Sequence, residues 1–531
     1  MMRTVTADEL WQWLHDGDEI VVADVRDGGP FARSHILAAA TIPLSQIEVL
    51  MPVMVPRLGT RVVLVDDGGP HASRAHEVLE SNGYSDLWVL EGGQPAWESS
   101  GRQVFSGSGI ISKAFGELVE HELDTPRIDA ADLREWMESG REMVLVDARP
   151  MAEFRTVSLP GGTDCPGAEL VYRVPGIVSS PDVPIVVNCA GRTRSIIGAQ
   201  SLLNAGISNP VYALRNGTMG WQLAGYDTDH GKSGMVPEPS PTWLAGAQHL
   251  ARDVCSRHDL SVIDAATLGR FRADGARTTY VFDVRQADAF ERGHVPGSIH
   301  APGGQLVQAT DSYAAVRNAR VVVVDEHMVQ SVMTAHWLAQ MGWEVHVLGN
   351  AGDLLTETGT AFTSTLGSEA ASVSRVSADE VAGWIDRGSC VVVDVGESYW
   401  YREGRIPGSH YSMRTHLASA LTRFRYDERI VFCCNDGRFS PFAAADASSM
   451  GFDHVHVLDG GRAAWRRAGH PVERIGEDTD ELVLSETDDM WYPPWARKEG
   501  VNEAIMQYLT WETGLLEPVS KETYIRFSVR R

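Results

Sequence analysis

The chain has 531 residues, 43% of them hydrophobic, and a mean hydropathy of −0.16. That is ordinary composition for soluble globular protein, with enough apolar material for three or four domains of roughly 150 residues each. Forty-six basic against 71 acidic residues leave a net charge of −25, which excludes a general nucleic-acid or anionic-membrane binder while leaving room for a local basic pocket.

The opening stretch, MMRTVTADELWQWLHDGDE, lacks the apolar core of a signal peptide, and no run of 18 apolar residues occurs anywhere. Together these predict a cytoplasmic protein with no membrane partner. The six cysteines, Cys165, Cys189, Cys255, Cys390, Cys433 and Cys434, are too few for a disulfide scaffold and agree with a reducing compartment. No C-x2-C pair exists, so no zinc site of the common spacings is expected.

An internal repeat organises the chain. An apolar strand ending in Asp recurs as VVADVR (21–26), VLVDAR (144–149), YVFDVR (280–285) and VVVDVG (391–396), with the Asp spaced by 123, 136 and 111 residues. A Pro-Gly turn comes next in three copies: SLPGGTDCPG (158–167), GHVPGSIHAPGG (293–304) and GRIPGSH (404–410). Then comes a second apolar strand, RVVLVD (61–66), PIVVN (184–188), RVVVVD (320–325) or RIVFC (429–433), then an Ala-rich amphipathic stretch such as SIIGAQSLLNAG (195–206) and a short strand such as VYAL (211–214) or VHVL (455–458). Each copy closes on LEGGQPAW (90–97), LRNGTMGW (214–221), the degraded LGNAGDLL (348–355) or LDGGRAAW (458–465). In that closing motif the small residues permit a tight turn with positive φ, and the Trp anchors a helix on the sheet. Short β-branched runs alternating with helical segments predict an α/β class, with a parallel sheet covered on both faces in each copy. The expected domains are 1–105, 124–230, 250–355 and 375–473, with a C-terminal extension, 476–531. Polar or Gly/Pro/Ser-rich stretches at 106–112, 231–241 and 356–374, and an acidic one at 476–490, separate them. In the extension, WYPPW (491–495) precedes a helix-like VNEAIMQYL (501–509), whose apolar Val501, Ile505, Tyr508 and Leu509 suit a packing or oligomer contact.

In open α/β sheets ligands bind at the carboxyl ends of the strands, so the loop after the second apolar strand is the one to compare. In the second copy it reads Cys189-Ala190-Gly191-Arg192-Thr193-Arg194-Ser195, and in the fourth Cys434-Asn435-Asp436-Gly437-Arg438-Phe439-Ser440. Val65 and Val324 stand at the strand ends of the first and third, with acids beside them. A thiol at a strand end, facing the amides of the next helix, is expected to have a depressed pKa. Arg192 and Arg194 would add anion-binding donors. From Val183 to Tyr226 there are three arginines and no acid, a basic island in an acidic chain.

The ordered set of D-V-R start, G-H-x-P-G turn, C-x4-R loop and closing L-x-G-G-x-x-x-W resembles the rhodanese-like sulfurtransferases, over roughly residues 1–473. The loop order is similar to that of a multi-domain bacterial member built as two inactive–active pairs. The resemblance implies four tandem rhodanese-like domains, each a small parallel sheet flanked by helices, plus the extension. It implies that Cys189 forms a persulfide in a loop, residues 190–194, whose amides cradle the bound sulfur. Its thiolate would attack the outer sulfur of thiosulfate or a similar anionic donor and pass that sulfur to cyanide, a thiol or an acceptor protein. Arg192 and Arg194 would hold the donor, Ser195 would join Ala190, Gly191 and Thr193 in binding the substrate, and no metal or organic cofactor is implied.

Without a nucleophile, the first and third copies are expected to be inactive. The fourth is a possible second site. There Phe439 replaces Arg194 and Asp436 repels anions, and the adjacent pair leaves two registers open, one with Cys434 and one with Cys433 and Arg438 as C-x4-R. Cys165 parallels Ala301 in a shared turn. Glu169, Tyr172 and Arg173 read as surface packing, with the pocket mouth as the alternative. His35 and His294 read as turn residues, and Cys255 and Cys390 as core or linker. Two other functions compete. A phosphatase or arsenate reductase of related fold needs a wider C-x5-R loop. A non-enzymatic persulfide carrier or protein-interaction scaffold is compatible with the two cysteine-free loops.

Overall fold

A computed structural model describes residues 2–360, 364–367, 372–474, 481–494, 497 and 499–531. Residues 361–363, 368–371 and 476–480 of the expected separators, and Trp495 of WYPPW, lie outside the described residues. The chain forms two compact units. One combines Met1–Leu10, Val21–Gly107 and Thr363–Tyr492, and the other Trp11–Ile20, Ser108–Phe362 and Pro493–Arg531. The first and fourth repeats therefore share one unit, and the second and third share the other with the extension from Pro493 on.

Each repeat builds one five-stranded sheet, and all four sheets have the same order: first, fifth, fourth, second and third strand of the repeat. In the second repeat these are Arg127–Ile128, Val211–Leu214, Ile185–Asn188, Val144–Asp147 and Thr163–Asp164, and their described pairings are parallel. The near-continuous apolar runs have their cause here, because a central parallel strand is covered on both faces. Ile185–Asn188 is buried along its whole length. On one face Leu133, Leu145, Val186, Leu214 and Trp221 form a core. The order reverses between the second and fourth strands, so the loop after the fourth opens at the carboxyl edge of a switch point, where such sheets bind ligands.

Two recurring motifs acquire structural reasons. Asp147 accepts from Arg149 Nε (2.8 Å) and Nη2 (2.7 Å), and the same guanidinium donates to the Val157 carbonyl (2.6 Å), tying the strand end to the turn eight residues on. Asp24–Arg26 and Asp283–Arg285 repeat this buried clamp. In the fourth repeat Gly396 replaces the arginine, and Arg462 from the closing motif reaches Asp394 instead (3.2 Å). The closing tryptophans Trp97, Trp221 and Trp465 are buried, and each indole donates to a carbonyl six residues ahead, those of Gln103, Asp227 and Pro471. The degraded third copy has a short 3₁₀ turn, Ala351–Leu354, where the others have seven-residue helices. Among the described residues no helix is long and apolar enough to cross a membrane.

Candidate active site

The candidate loop hangs from the fourth strand of each repeat, and the backbone fixes its register. The carbonyls of Val65, Asn188, Val324 and Cys433 accept from the strand next door, at Val25, Ala148, Val284 and Val395. The residue after each is therefore the equivalent position: Asp66, Cys189, Asp325 and Cys434. This corrects the sequence alignment of the first and third repeats, where the residue facing the site is the aspartate rather than Val65 or Val324. It also separates the adjacent cysteines. Cys433 ends its strand inside the core with Val376, Val431 and Leu458, where burial pushes its thiol well up. Cys434 occupies the loop.

The loop amides converge on that one side chain. The Asp325 carboxylate accepts from the amides of His327 (3.2 Å), Val329 (3.1 Å) and Ser331 (3.3 Å), and also from the Ser331 hydroxyl. Asp66 accepts from Gly68 (2.9 Å) and Ala72 (3.0 Å). In the first and third repeats a tethered carboxylate thus occupies the anion cradle. In the fourth, Cys434 Sγ accepts from the Gly437 amide (3.2 Å) and lies 3.7 Å from Ser440 Oγ. The loop's own arginine, Arg438, is held by Asp436 (2.6 Å), which itself stands 4.0 Å from the sulfur.

In the second repeat Cys189 is 1% exposed. Its Sγ lies 3.5 Å from Ser195 Oγ, which donates to the Arg192 carbonyl (2.8 Å) and ties the loop shut. The carbonyls of Cys189 and Ala190 are anchored by the amides of Thr218 (2.8 Å) and Met219 (2.9 Å) in the closing motif. That contact explains the motif's glycine: at Gly217, φ is +54° and a Cβ would collide with the Cys189 and Gly191 carbonyls. Gly191 lies beneath Tyr508, Glu512 and Met219.

The arginines are placed differently from expectation. Arg192 makes a bidentate pair with Glu117 (2.6 and 2.7 Å), a further bond to Glu120 (2.5 Å) and one to Asn216 (3.0 Å). Arg194 is bidentate to Glu153 (2.7 and 2.8 Å) and reaches Gln305 (3.0 Å). Thr193 Oγ1 donates to Glu512 (2.7 Å). The basic island of the sequence is therefore neutralised by acids brought in from other elements. Burial pushes the Cys189 thiol up rather than down. Arg194 and the Ser195 hydroxyl oppose the rise, and Glu512 adds to it.

Other candidates fall outside the loop. Cys165 is buried in its turn, and its amide donates to the strand-end carbonyl of Asp147 as the Ala301 amide does to that of Asp283; burial raises its thiol strongly. Glu169 and Arg173, read as surface, are instead a buried pair (2.6 Å) that Gln330 joins. His35 and His294 bond the Phe31 and Phe290 carbonyls and stack on those rings; burial lowers His35 to about 4. Cys255 and Cys390 are half-buried. The residues the sequence reading missed are Glu117, Glu120, Glu153, Tyr508 and Glu512. Glu117 and Glu120, one turn apart on the helix Ile110–Leu123, carry the one local signal, an acidic pair on an otherwise buried face. Part of the expected separator 106–112 belongs to that helix.

Comparison with known proteins agrees with this geometry. The rhodanese-like domain family matches residues 6–100, 129–224, 265–351 and 377–468. A crystal structure of a thiosulfate sulfurtransferase from Pseudomonas aeruginosa superposes with a TM-score of 0.92 at 40% identity, covering 100% of both chains. The thiosulfate sulfurtransferase GlpE of Pseudoalteromonas translucida (strain TAC 125) is 32% identical over 91 residues, 17% of this chain and 87% of that protein. GlpE of Pseudomonas fluorescens (strain SBW25) is 34% identical over 83 residues, 16% of this chain and 75% of that protein. With four matched segments, four sheets of one topology and one loop position varied between thiol and carboxylate, the chain belongs to the rhodanese-like family as four tandem domains.

Proposed function

We propose that the chain is a sulfurtransferase that moves sulfane sulfur from thiosulfate or a similar donor to a thiophilic acceptor through a persulfide on Cys189. One observation carries the reading. The second repeat sets a thiol at the position where the first and third seat a carboxylate on converging amides. Such a cradle suits an anionic sulfur on that thiol. The names of the related proteins, thiosulfate sulfurtransferases, support the donor class.

The Cys189 thiolate attacks the outer sulfur of thiosulfate. The S–S bond of the donor breaks, sulfite leaves with the bonding pair, and Cys189 carries the persulfide anion. Cyanide or an acceptor thiolate then attacks the outer sulfur and releases the Cys189 thiolate. The amides of residues 190–195 stabilise the persulfide charge. Arg192 and Arg194 act as positioning residues: their ion pairs hold the loop backbone in the cradle conformation. Arg194 also favours the thiolate electrostatically. A phosphate-ester reaction is disfavoured because Arg194 is committed to Glu153 and the loop is C-x4-R.

The test is thiocyanate formation from thiosulfate and cyanide. Wild type and Cys434→Ser should turn over, and Cys189→Ser should fall to background. Turnover retained by Cys189→Ser and lost in Cys434→Ser would move the reaction to the fourth repeat.

A further inference from the structure

The C-terminal extension completes the Cys189 site. Its helix Val501–Thr513 packs Ile505 and Leu509 on Met219 and Leu223 of the second repeat, and it brings Tyr508 and, one turn on, Glu512 over Gly191. Glu512 is 1% exposed. One carboxylate oxygen accepts from Thr193, and the other, buried, has no hydrogen-bond partner among the described residues. A Cβ on Gly191 would stand 3.2 Å from that second oxygen, so it is aimed at the loop backbone beside the nucleophile.

A buried carboxylate oxygen without a partner is costly and normally has one. The nearby cations are already engaged. Arg192 is taken by Glu117, Glu120 and Asn216, and Arg194 by Glu153 and Gln305. Lys113 donates to the Ser108 carbonyl, lies over the Trp511 ring and shares its field between Glu512 and Asp311. The unmet acceptor lies against the loop backbone two residues from the nucleophile, close enough for its charge to act on the Cys189 sulfur.

We propose that Glu512 is a specificity-determining residue of the Cys189 site, favouring small sulfur compounds that carry an ammonium group near the reacting sulfur and disfavouring dianions such as thiosulfate. A charge this close to a buried sulfur discriminates a cationic from an anionic reactant by about tenfold or more. The proposal rests on Cys189 being the reacting thiol, and it refines the donor class: thiosulfate remains a substrate, but a poor one. The first and third repeats show the same principle in full, since their own carboxylates occupy the cradle.

The experiment reads charge selectivity without sulfur transfer. Full-length protein is treated with methanethiosulfonates bearing ethylammonium, methyl or ethylsulfonate groups, and the rate of labelling at Cys189 is followed by peptide mass spectrometry. Wild type should prefer the cationic over the anionic reagent by at least about tenfold, relative to a free thiol. Glu512→Gln should bring that preference to within about twofold, while Glu512→Asp, which keeps the charge, should retain its sign. Melting curves of both variants establish that they fold. An unchanged preference in Glu512→Gln, or no preference or labelling in wild type, would overturn the proposal. Loss of thiocyanate formation with intact charge selectivity would instead count against the sulfurtransferase reading alone.

Discussion

Replacing Arg192 by alanine separates two roles for the arginines of the loop, donor binding and loop support. The side chain makes four charged or polar bonds, two to Glu117, one to Glu120 and one to Asn216, and is buried. Its removal strands Glu117, which is already pushed up by burial and is held mainly by this guanidinium, whereas Glu120 keeps its pair with Arg127 (3.1 Å). Breaking a buried pair by deleting one partner costs about 3–5 kcal/mol. At about 2–4 °C per kcal/mol for a unit of a few hundred residues, the lower figure alone gives a fall of roughly 6–12 °C in the transition of this unit. The loss should be partly recovered in Arg192→Ala/Glu117→Ala, because the stranded charge is gone, with a coupling of about 1–3 kcal/mol between the two sites. Scanning calorimetry and urea denaturation of the full chain provide the numbers. If Arg192→Ala keeps its stability within about 1 kcal/mol while its KM for thiosulfate rises a hundredfold, the guanidinium faces the donor and the assignment as a positioning residue is wrong.

Three further outcomes are expected. Asp325→Ala removes the acceptor of three amides and one hydroxyl and should cost about 3 kcal/mol, given about 1–3 kcal/mol for each buried group left unpaired and some access of water; a change below about 0.5 kcal/mol in urea denaturation would show that the carboxylate does not hold the third loop together. Asp164 is buried with neither oxygen hydrogen-bonded among the described residues, and burial with Asp147 nearby raises it to about 7, against about 3.9 in an unfolded chain. Between those values the folded chain keeps a proton the unfolded chain has lost, so this group's stability is full below about pH 4, declines towards pH 7 and is gone above it; Asp164→Asn should therefore gain thermal stability over wild type at pH 8 but not at pH 4, and an equal difference at both would refute the linkage. The Cys189 thiol is raised by burial and by Glu512, so its alkylation by iodoacetamide should accelerate as pH rises through a midpoint above that of an ordinary thiol, and the midpoint should move down in Glu512→Gln; a midpoint below the ordinary thiol range would contradict the buried site.

The sheets were legible in the sequence because their strands are uninterrupted β-branched runs with a repeated spacing, and burial on both faces demands that composition. The Gly-containing closing turns were legible for a similar local reason, since a positive φ and a close approach to the loop leave few residue choices. The equivalence of Asp66 and Asp325 with Cys189 was missed by one residue. Strand ends are set by hydrogen bonds to the neighbouring strand, which the hydrophobic pattern does not show. The electrostatics of the site were misread for a deeper reason. The acids that neutralise Arg192 and Arg194 are 75, 72 and 41 positions away in sequence, and Glu512 is 319 from Thr193. A window of 44 residues without an acid describes the chain, whereas the field at the thiol is set by whatever the fold brings there. The apolar face of the last helix was readable as a packing face. That it packs on the second repeat and delivers a carboxylate to its loop was not.

The measurement that bears most directly on the account is the mass of the protein after thiosulfate treatment and removal of small molecules. A gain of about 32 Da, one sulfur, localised to the Cys189 peptide and discharged by cyanide, is the predicted result, with no such gain in Cys189→Ser. An unmodified Cys189 peptide in a protein that nevertheless forms thiocyanate would contradict it.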